Sequence, residues 1–216
     1  MKYNAQSLIG LSVFAISLVG FQSVSAIEQT AAKTATAWKL DPAHTSVRFT
    51  IQHMMVSKVP GAFAKVSGTA KYDGKDLKNA SADATIDTTS INTNEEHRDA
   101  HLKSPDFFDV AKFPTITFKS SKVTPEANGN FKLTGALTMH GVTKDVTLDC
   151  EKLATPVKDA KGHLHSGTSA TTTINRKDFG LTFNKALDNG GTMLGDDVKV
   201  NIDVELVEAE DEKAKS

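Results

Sequence analysis

Apolar and polar side chains take turns along most of this chain. Val198, Val200, Ile202, Val204 and Leu206 alternate with Lys199, Asn201, Asp203 and Glu205. Phe131, Leu133, Gly135, Leu137 and Met139 repeat the pattern, as do Val47, Phe49 and Ile51, then Ile116 and Phe118, and Val146, Leu148 and Cys150. A period of two puts successive side chains on opposite faces of a strand, so each run has one dry and one wet face. That is the signature of antiparallel sheet with a single buried side.

Turn residues punctuate these runs at Tyr72-Asp73-Gly74, Glu126 to Gly129, His140-Gly141 and Asp188 to Gly191, which predicts consecutive hairpins. The stretch Asn94 to Lys103, rich in Glu, His, Arg and Ala and stopped by Ser104-Pro105, predicts one short helix. Many amphipathic strands with one helix fit either a sandwich or a closed barrel. Gly68 and Gly135 inside strands tilt the choice toward a barrel, whose curved strands need close backbone approach.

The first 26 residues read differently. Lys2, an apolar run from Leu8 to Val19 and the small residues Ser23-Val24-Ser25-Ala26 predict a signal peptide cut near Ala26. The alternative is a membrane anchor, but the run is broken by Ser and Gly and falls short of the roughly 20 residues a span requires. Cys150 lies far from the cut, so no lipoprotein is expected, nor stable membrane insertion. Residues 27–37 read as a flexible linker, 38–207 as one β-domain and 208–216 as a charged, solvated tail. The formal charge of −1 drops to about −2 without Lys2, which offers nothing to nucleic acid. The only cysteine cannot close an internal disulfide, so Cys150 is read as a small buried apolar residue.

The chemistry in the chain is sparse. There is no nucleophile elbow, phosphate-binding loop or dinucleotide fingerprint, and Asp178-Phe179-Gly180 lacks every companion motif of a kinase. His97 and His101 stand four apart on the predicted helix and share a face, so with Asp99 they raise the alternative of a metal-dependent periplasmic enzyme. Arg98 beside them opposes a cation. His163 and His165 fall in a Gly/Lys/Ser-rich stretch that reads as a solvated loop. His44 and His53 sit at strand ends, where a histidine either makes structural hydrogen bonds or meets a ligand head group at a barrel mouth.

Phenylalanine dominates the aromatics, with 11 against two tyrosines and one tryptophan. Eight strands is about the size at which a barrel either fills with side chains or encloses one small ligand. Inward-facing Phe131 and a set comprising Val47, Phe49, Ile51, Phe63, Leu102, Phe107, Phe108, Phe118, Leu133, Leu137, Phe179 and Phe183 would make such an interior an apolar ligand chamber, with His44, His53, Arg98 and His101 as polar head-group contacts. The rival expectation is a filled core in a structural or stress-protective protein.

The segment from Trp38 to Phe49 (WKLDPAHTSVRF), Phe63 and Gly68, Asn94 with Arg98-Asp99, Leu102, Phe107-Phe108-Asp109, Phe113-Pro114, Leu137-Thr138 with Gly141-Val142-Thr143, and Phe179-Gly180 together resemble the YceI-like family. The resemblance spans Trp38 to Leu206. It implies an all-β, extended lipocalin-like, eight-stranded antiparallel barrel with a short helix and a long apolar pocket. It further implies a periplasmic or secreted protein without catalytic residues or cofactor. The implied ligand is an isoprenoid quinone, a prenyl pyrophosphate or a fatty-acid amide. An exposed edge or apolar rim would favour a homodimer.

Overall fold

The computed structural model describes residues 36–74, 76–188 and 190–209. The expected signal peptide, most of the linker and most of the charged tail lie outside these residues. Twelve strands and one helix follow in order: β1 (Thr36–Leu40), β2 (Ser46–His53), β3 (Ser57–Phe63), β4 (Val66–Tyr72), β5 (Ser81–Asp87), β6 (Ile91–Asn92), α1 (Glu96–Lys103), β7 (Thr115–Pro125), β8 (Phe131–Met139), β9 (Val142–Cys150), β10 (Val157–Lys158), β11 (Leu164–Asn175) and β12 (Leu194–Glu208). Two limits shift from the sequence expectation. Thr36 and Ala37, read as linker, pair with Tyr72 and Lys71, and Glu208, read as tail, pairs with Trp38.

Every pairing is antiparallel. The ladder runs β11-β9-β8-β7-β5-β4-β1-β12, and β12 then pairs with β11 along eleven positions from Asp197 to Val207, closing an eight-stranded barrel. On its other edge β12 holds β2 from Leu194 to Asp203 and β1 from Leu206 to Glu208, so the β2–β3 hairpin and β6 extend the wall beside the ring. Closure reduces the exposed sheet edges that an open sandwich would have kept, and the sheet ends outside the ring at the short β10 and β6.

Curvature comes from glycine. A Cβ on Gly135 would lie 2.4 Å from the Lys119 carbonyl oxygen, and the register opposite it shifts between Ser120 and Lys122. A bulge facing a glycine bends the pair inward at that point. The β8–β9 turn is the two-residue His140-Gly141, with φ of 50° and 75°. Both values suit the mirror-image turn that joins twisted strands.

Helix α1 starts two residues after the predicted Asn94, because Glu95 caps it by accepting from the backbone N–H groups of His97 and Arg98. The Asp99 carboxylate accepts from Thr93 N at 2.8 Å, and Arg98 Nε donates to Thr93 Oγ1 at 2.7 Å, which fastens the helix to the segment before it. Two apolar clusters pack the interior. One holds Val47, Phe63, Val66, Ile91, Ile116, Met139, Phe179 and Leu181, the other Val123, Phe131, Cys150 and Ala170, and Ile202 packs against both.

Candidate functional site

The inner face of the barrel does not fill. A cavity of about 1060 Å³ runs through it, at the upper end of the range for small-molecule sites. Val198, Val200, Ile202, Val204 and Leu206 of β12 line it beside their neighbours Val47, Phe49 and Ile51 of β2, together with Phe131, Leu133, Leu137 and Met139 of β8 and Val146, Leu148 and Cys150 of β9. Several of these, including Phe49, Leu133, Leu137 and Val200, are only half-buried despite pointing inward, because the space before them is open. A filled core would have sealed them.

Eleven of the expected lining residues stand on this wall: Val47, Phe49, Ile51, Phe63, Leu102, Phe107, Phe108, Phe118, Leu133, Leu137 and Phe183. Phe179 does not. The strand ends at Asn175, whose side chain caps a 3-10 turn over Arg176–Phe179, and Gly180 at φ 79° turns the chain back. Alternation stops there, so Phe179 packs at 3 % exposure in the core while Arg176 takes the cavity side.

The charged side chains of the wall and its histidines stand at the two ends, while Thr168 and Thr172 of β11 are polar groups between them. Around α1 the wall carries His53, Thr93, His97, Arg98, His101, Arg176 and Lys185; at the far end it carries Lys71, Tyr72, Asp73, Asp83 and Glu208. His101 is built into an aromatic cluster, its ring meeting Phe107 and Phe183 edge-on at 5.0 and 4.9 Å while Nε2 lies 2.9 Å from Asp106 Oδ2. Arg98 Nη2 donates to the Thr93 carbonyl at 2.9 Å. His44, in contrast, is off the wall. It sits in the β1–β2 loop with its side chain 64 % exposed and its Nδ1 2.9 Å from Asp41 Oδ2.

Arg176 carried no recognisable motif, yet it is the most deeply placed cation here, 3 % exposed. Nε donates to the Gly195 carbonyl at 2.8 Å, and Nη1 to those of Leu181 and Phe183. Burial pulls its pKa down from the ordinary value and Asp196 opposes the shift. The available signal was positional: an arginine placed just past the last inward residue of a strand, Ile174, and four residues before a glycine.

The metal alternative at the helix fails on geometry. Asp99 is committed to Thr93 and His101 to Asp106, and among the described residues no third ligand joins His97 and His101. The group with ligand spacing is instead Asp41, His44 and Glu205, whose donor atoms lie within 4.8 Å of one another on the outer surface. One imidazole and two carboxylates are chemically able to hold a divalent metal. Ion pairing already accounts for their proximity: hydrogen bonding to Asp41, then the Glu205 charge, raises the His44 pKa, and that same hydrogen bond lowers the pKa of Asp41.

The neighbouring His165 is in β11, not in a loop as its Gly- and Ser-rich surroundings suggested. Its Nδ1 lies 2.8 Å from Glu205 Oε1 and its Nε2 3.4 Å from Asp159 Oδ2. Ionised carboxylates only accept, so this arrangement favours the doubly protonated ring. Its pKa is raised, chiefly by the bond to Glu205.

A closed antiparallel barrel around one large apolar cavity, capped by a short helix, is the lipocalin-like class of architecture. Residues 38–206 match the YceI-like domain, and the chain belongs to that family. A UPF0312 protein of Staphylococcus aureus is 42% identical over 171 residues, covering 79% of this chain and 97% of the relative. The crystal structure of the Campylobacter jejuni YceI protein superposes with a TM-score of 0.62 at 34% identity, over 74% of this chain and 91% of that one. Burkholderia cenocepacia BcnA shares the fold at a TM-score of 0.67 and 24% identity, over 77% and 98% of the two chains. A polyisoprenoid binding domain from Saccharophagus degradans does so at 0.58 and 16% identity, over 81% and 99%.

Proposed function

We propose that this protein is exported and holds an isoprenoid-type or other long-chain apolar ligand in its barrel for transport, storage or stress protection. Isoprenoid quinones, prenyl pyrophosphates and fatty-acid amides are the candidate guests. The observation that carries the reading is the open cavity of about 1060 Å³ walled by alternate strand residues that are mostly aliphatic or aromatic, with Ser166, Thr168 and Thr172 of β11 among the polar exceptions. Burying each 100 Å² of hydrocarbon there is favourable by about 2.5 kcal/mol. The leader-like start supports export to the periplasm, and the polyisoprenoid-binding role of the Saccharophagus domain is compatible with the same use of the fold.

The wall also supports an orientation for the guest. Arg98, Arg176 and Lys185, with His53, His97 and His101, stand at the α1 end, whereas the acids on the wall, Asp73, Asp83 and Glu208, stand at the other with one cation, Lys71. An acceptor-rich or anionic head group belongs beside α1, with the chain running down the barrel. The test is to purify the protein from its own cells, extract it with organic solvent and identify the lipid by mass spectrometry. A stoichiometric prenyl or acyl lipid is expected, reduced in a Val200→Trp variant that narrows the chamber. Repeated lipid-free preparations would overturn the reading.

A further inference from the structure

Three of the four large exposed apolar residues among the described residues fall together; the fourth, Val157, lies apart on β10. Met54, Met55 and Val56, at 43, 56 and 83 % exposure, are consecutive at the tip of the β2–β3 hairpin. The turn closes with Val56 N donating to the His53 carbonyl at 3.1 Å, and both central residues are left-handed, Met54 at φ 49° and Met55 at φ 63°. Such turns favour Asn and Gly. Methionine is poorly suited to that backbone, and here it packs against little. Neither turn chemistry nor core packing explains the choice, whereas three consecutive exposed apolar residues at a hairpin tip are what an apolar partner phase would engage.

The position of the tip says which phase. Met54 N donates to the Met193 carbonyl at 2.7 Å, and His53, at the base of the turn, pairs with Leu194; Met193, His53 and Leu194 all line the cavity. From there Arg176 joins Gly195 to Phe183, whose ring meets His101 of α1. The tip therefore belongs to the cation-bearing end of the chamber. Exposed Lys58, opposite Gln52 in the hairpin, and exposed Lys185, whose carbonyl accepts from Met193 N, flank it. The nearby acid Asp196 is held by Lys177 at 2.9 Å and by Arg176 at 3.5 Å.

We propose that the Met54-Met55-Val56 turn docks the α1 end of the barrel onto an anionic lipid surface. The three side chains enter the headgroup boundary while lysines meet the phosphates, the combination by which interfacial segments bind. Docking in itself is independent of the cavity's occupant. Passage of a guest between bilayer and barrel through that end rests on the lipid-binding reading above.

The experiment is flotation of the purified protein with vesicles of phosphatidylcholine alone and of phosphatidylcholine with an equal part of phosphatidylglycerol, with lipid content measured on the same samples. Binding is expected to the anionic vesicles only, and Met54→Ser, Met55→Ser and Val56→Ser together should weaken it by about tenfold or more without changing the lipid carried. Met54→Asn with Met55→Gly is the decisive pair, since it suits the turn: it should raise the melting temperature and still lower vesicle binding. No binding by the wild type, equal binding to neutral vesicles, or wild-type binding by the Asn-Gly variant would each overturn the proposal, whatever lipid the cavity holds. So would loss of stability in the Asn-Gly variant, which would make the methionines structural. A failure of lipid extraction with vesicle binding intact would sink the cavity reading and leave the docking standing.

Discussion

The ring of Phe49 lies over Gly61 on the paired strand, so close that a Cβ there would sit 2.3 Å from the ring's Cζ. Phe49 is half-buried and on the cavity wall, while Gly61 is buried beneath it. Glycine thus sets how far this aromatic can lie back from the chamber. Gly61→Ala must push the ring into the open space. Overpacking of this kind costs typically about 1 to 3 kcal/mol. Urea unfolding should register that loss, and mass spectrometry of bound lipid should show lower occupancy in the variant.

Arg176 predicts a larger effect. Replacing it with Met keeps the bulk but strips the partners from the carbonyls of Gly195, Leu181 and Phe183 and leaves Asp196 with Lys177 alone. A loss of roughly 3 kcal/mol is expected from orphaning buried acceptors. Arg176→Lys, with one head for three directions, should recover only part of it. A Met variant as stable as the wild type in denaturant titration would refute this account.

The outer histidines predict a pH dependence. His165 and His44 both have pKa values raised above 6.5 by carboxylate partners. A raised folded-state pKa means that the protonated ring stabilises the native state, fully so below about pH 6.5 and progressively less as pH rises through the shifted value. The urea midpoint should therefore carry a declining component above that point. His44→Gln with His165→Gln should flatten the slope, and an unchanged slope would count against the ion-pair network. Asp159 acts at the other extreme. Burial pushes its pKa up, but hydrogen bonds from His163, Lys161 and His165 outweigh this and hold it low, so its contribution is lost only in strong acid.

Cys150 should be inert. Its side chain is buried and desolvation pushes the thiol pKa up to about 12, so at pH 8 almost no thiolate exists. A charged disulfide reagent should label the native protein slowly, at a rate that rises with urea. Immediate stoichiometric labelling would show that the barrel opens at that strand.

These residues also mark where the sequence was readable. Period-two alternation is a property of one strand facing one sheet side, so Val47, Phe49 and Ile51, or Leu133 and Leu137, could be assigned to the interior from the chain alone. Alternation fails where the strand ends. Phe179 left its expected place on the wall because a 3-10 turn intervenes, which also brings the unanticipated Arg176 there, and the outward turn of His44 was hidden because nothing in a loop sequence encodes its direction. His165 was hidden by Gly, Ser and Lys neighbours that resemble a loop, although pairing with β12 makes His165, Ser166 and Gly167 strand. Whether the inner face would fill or stay open depends on ring closure and on glycines such as Gly135, long-range facts that no local pattern contains.

The last strand has a consequence for the order of events. β12 pairs with β1, β2 and β11, and the closure of the ring rests on its contact with β11. A chain that folds while it is being made or exported therefore cannot close this vessel until residues 194–208 have emerged. No enclosed chamber exists before then, so under the lipid-binding reading proposed above a guest would enter the finished barrel and would not be the template on which the earlier strands assemble.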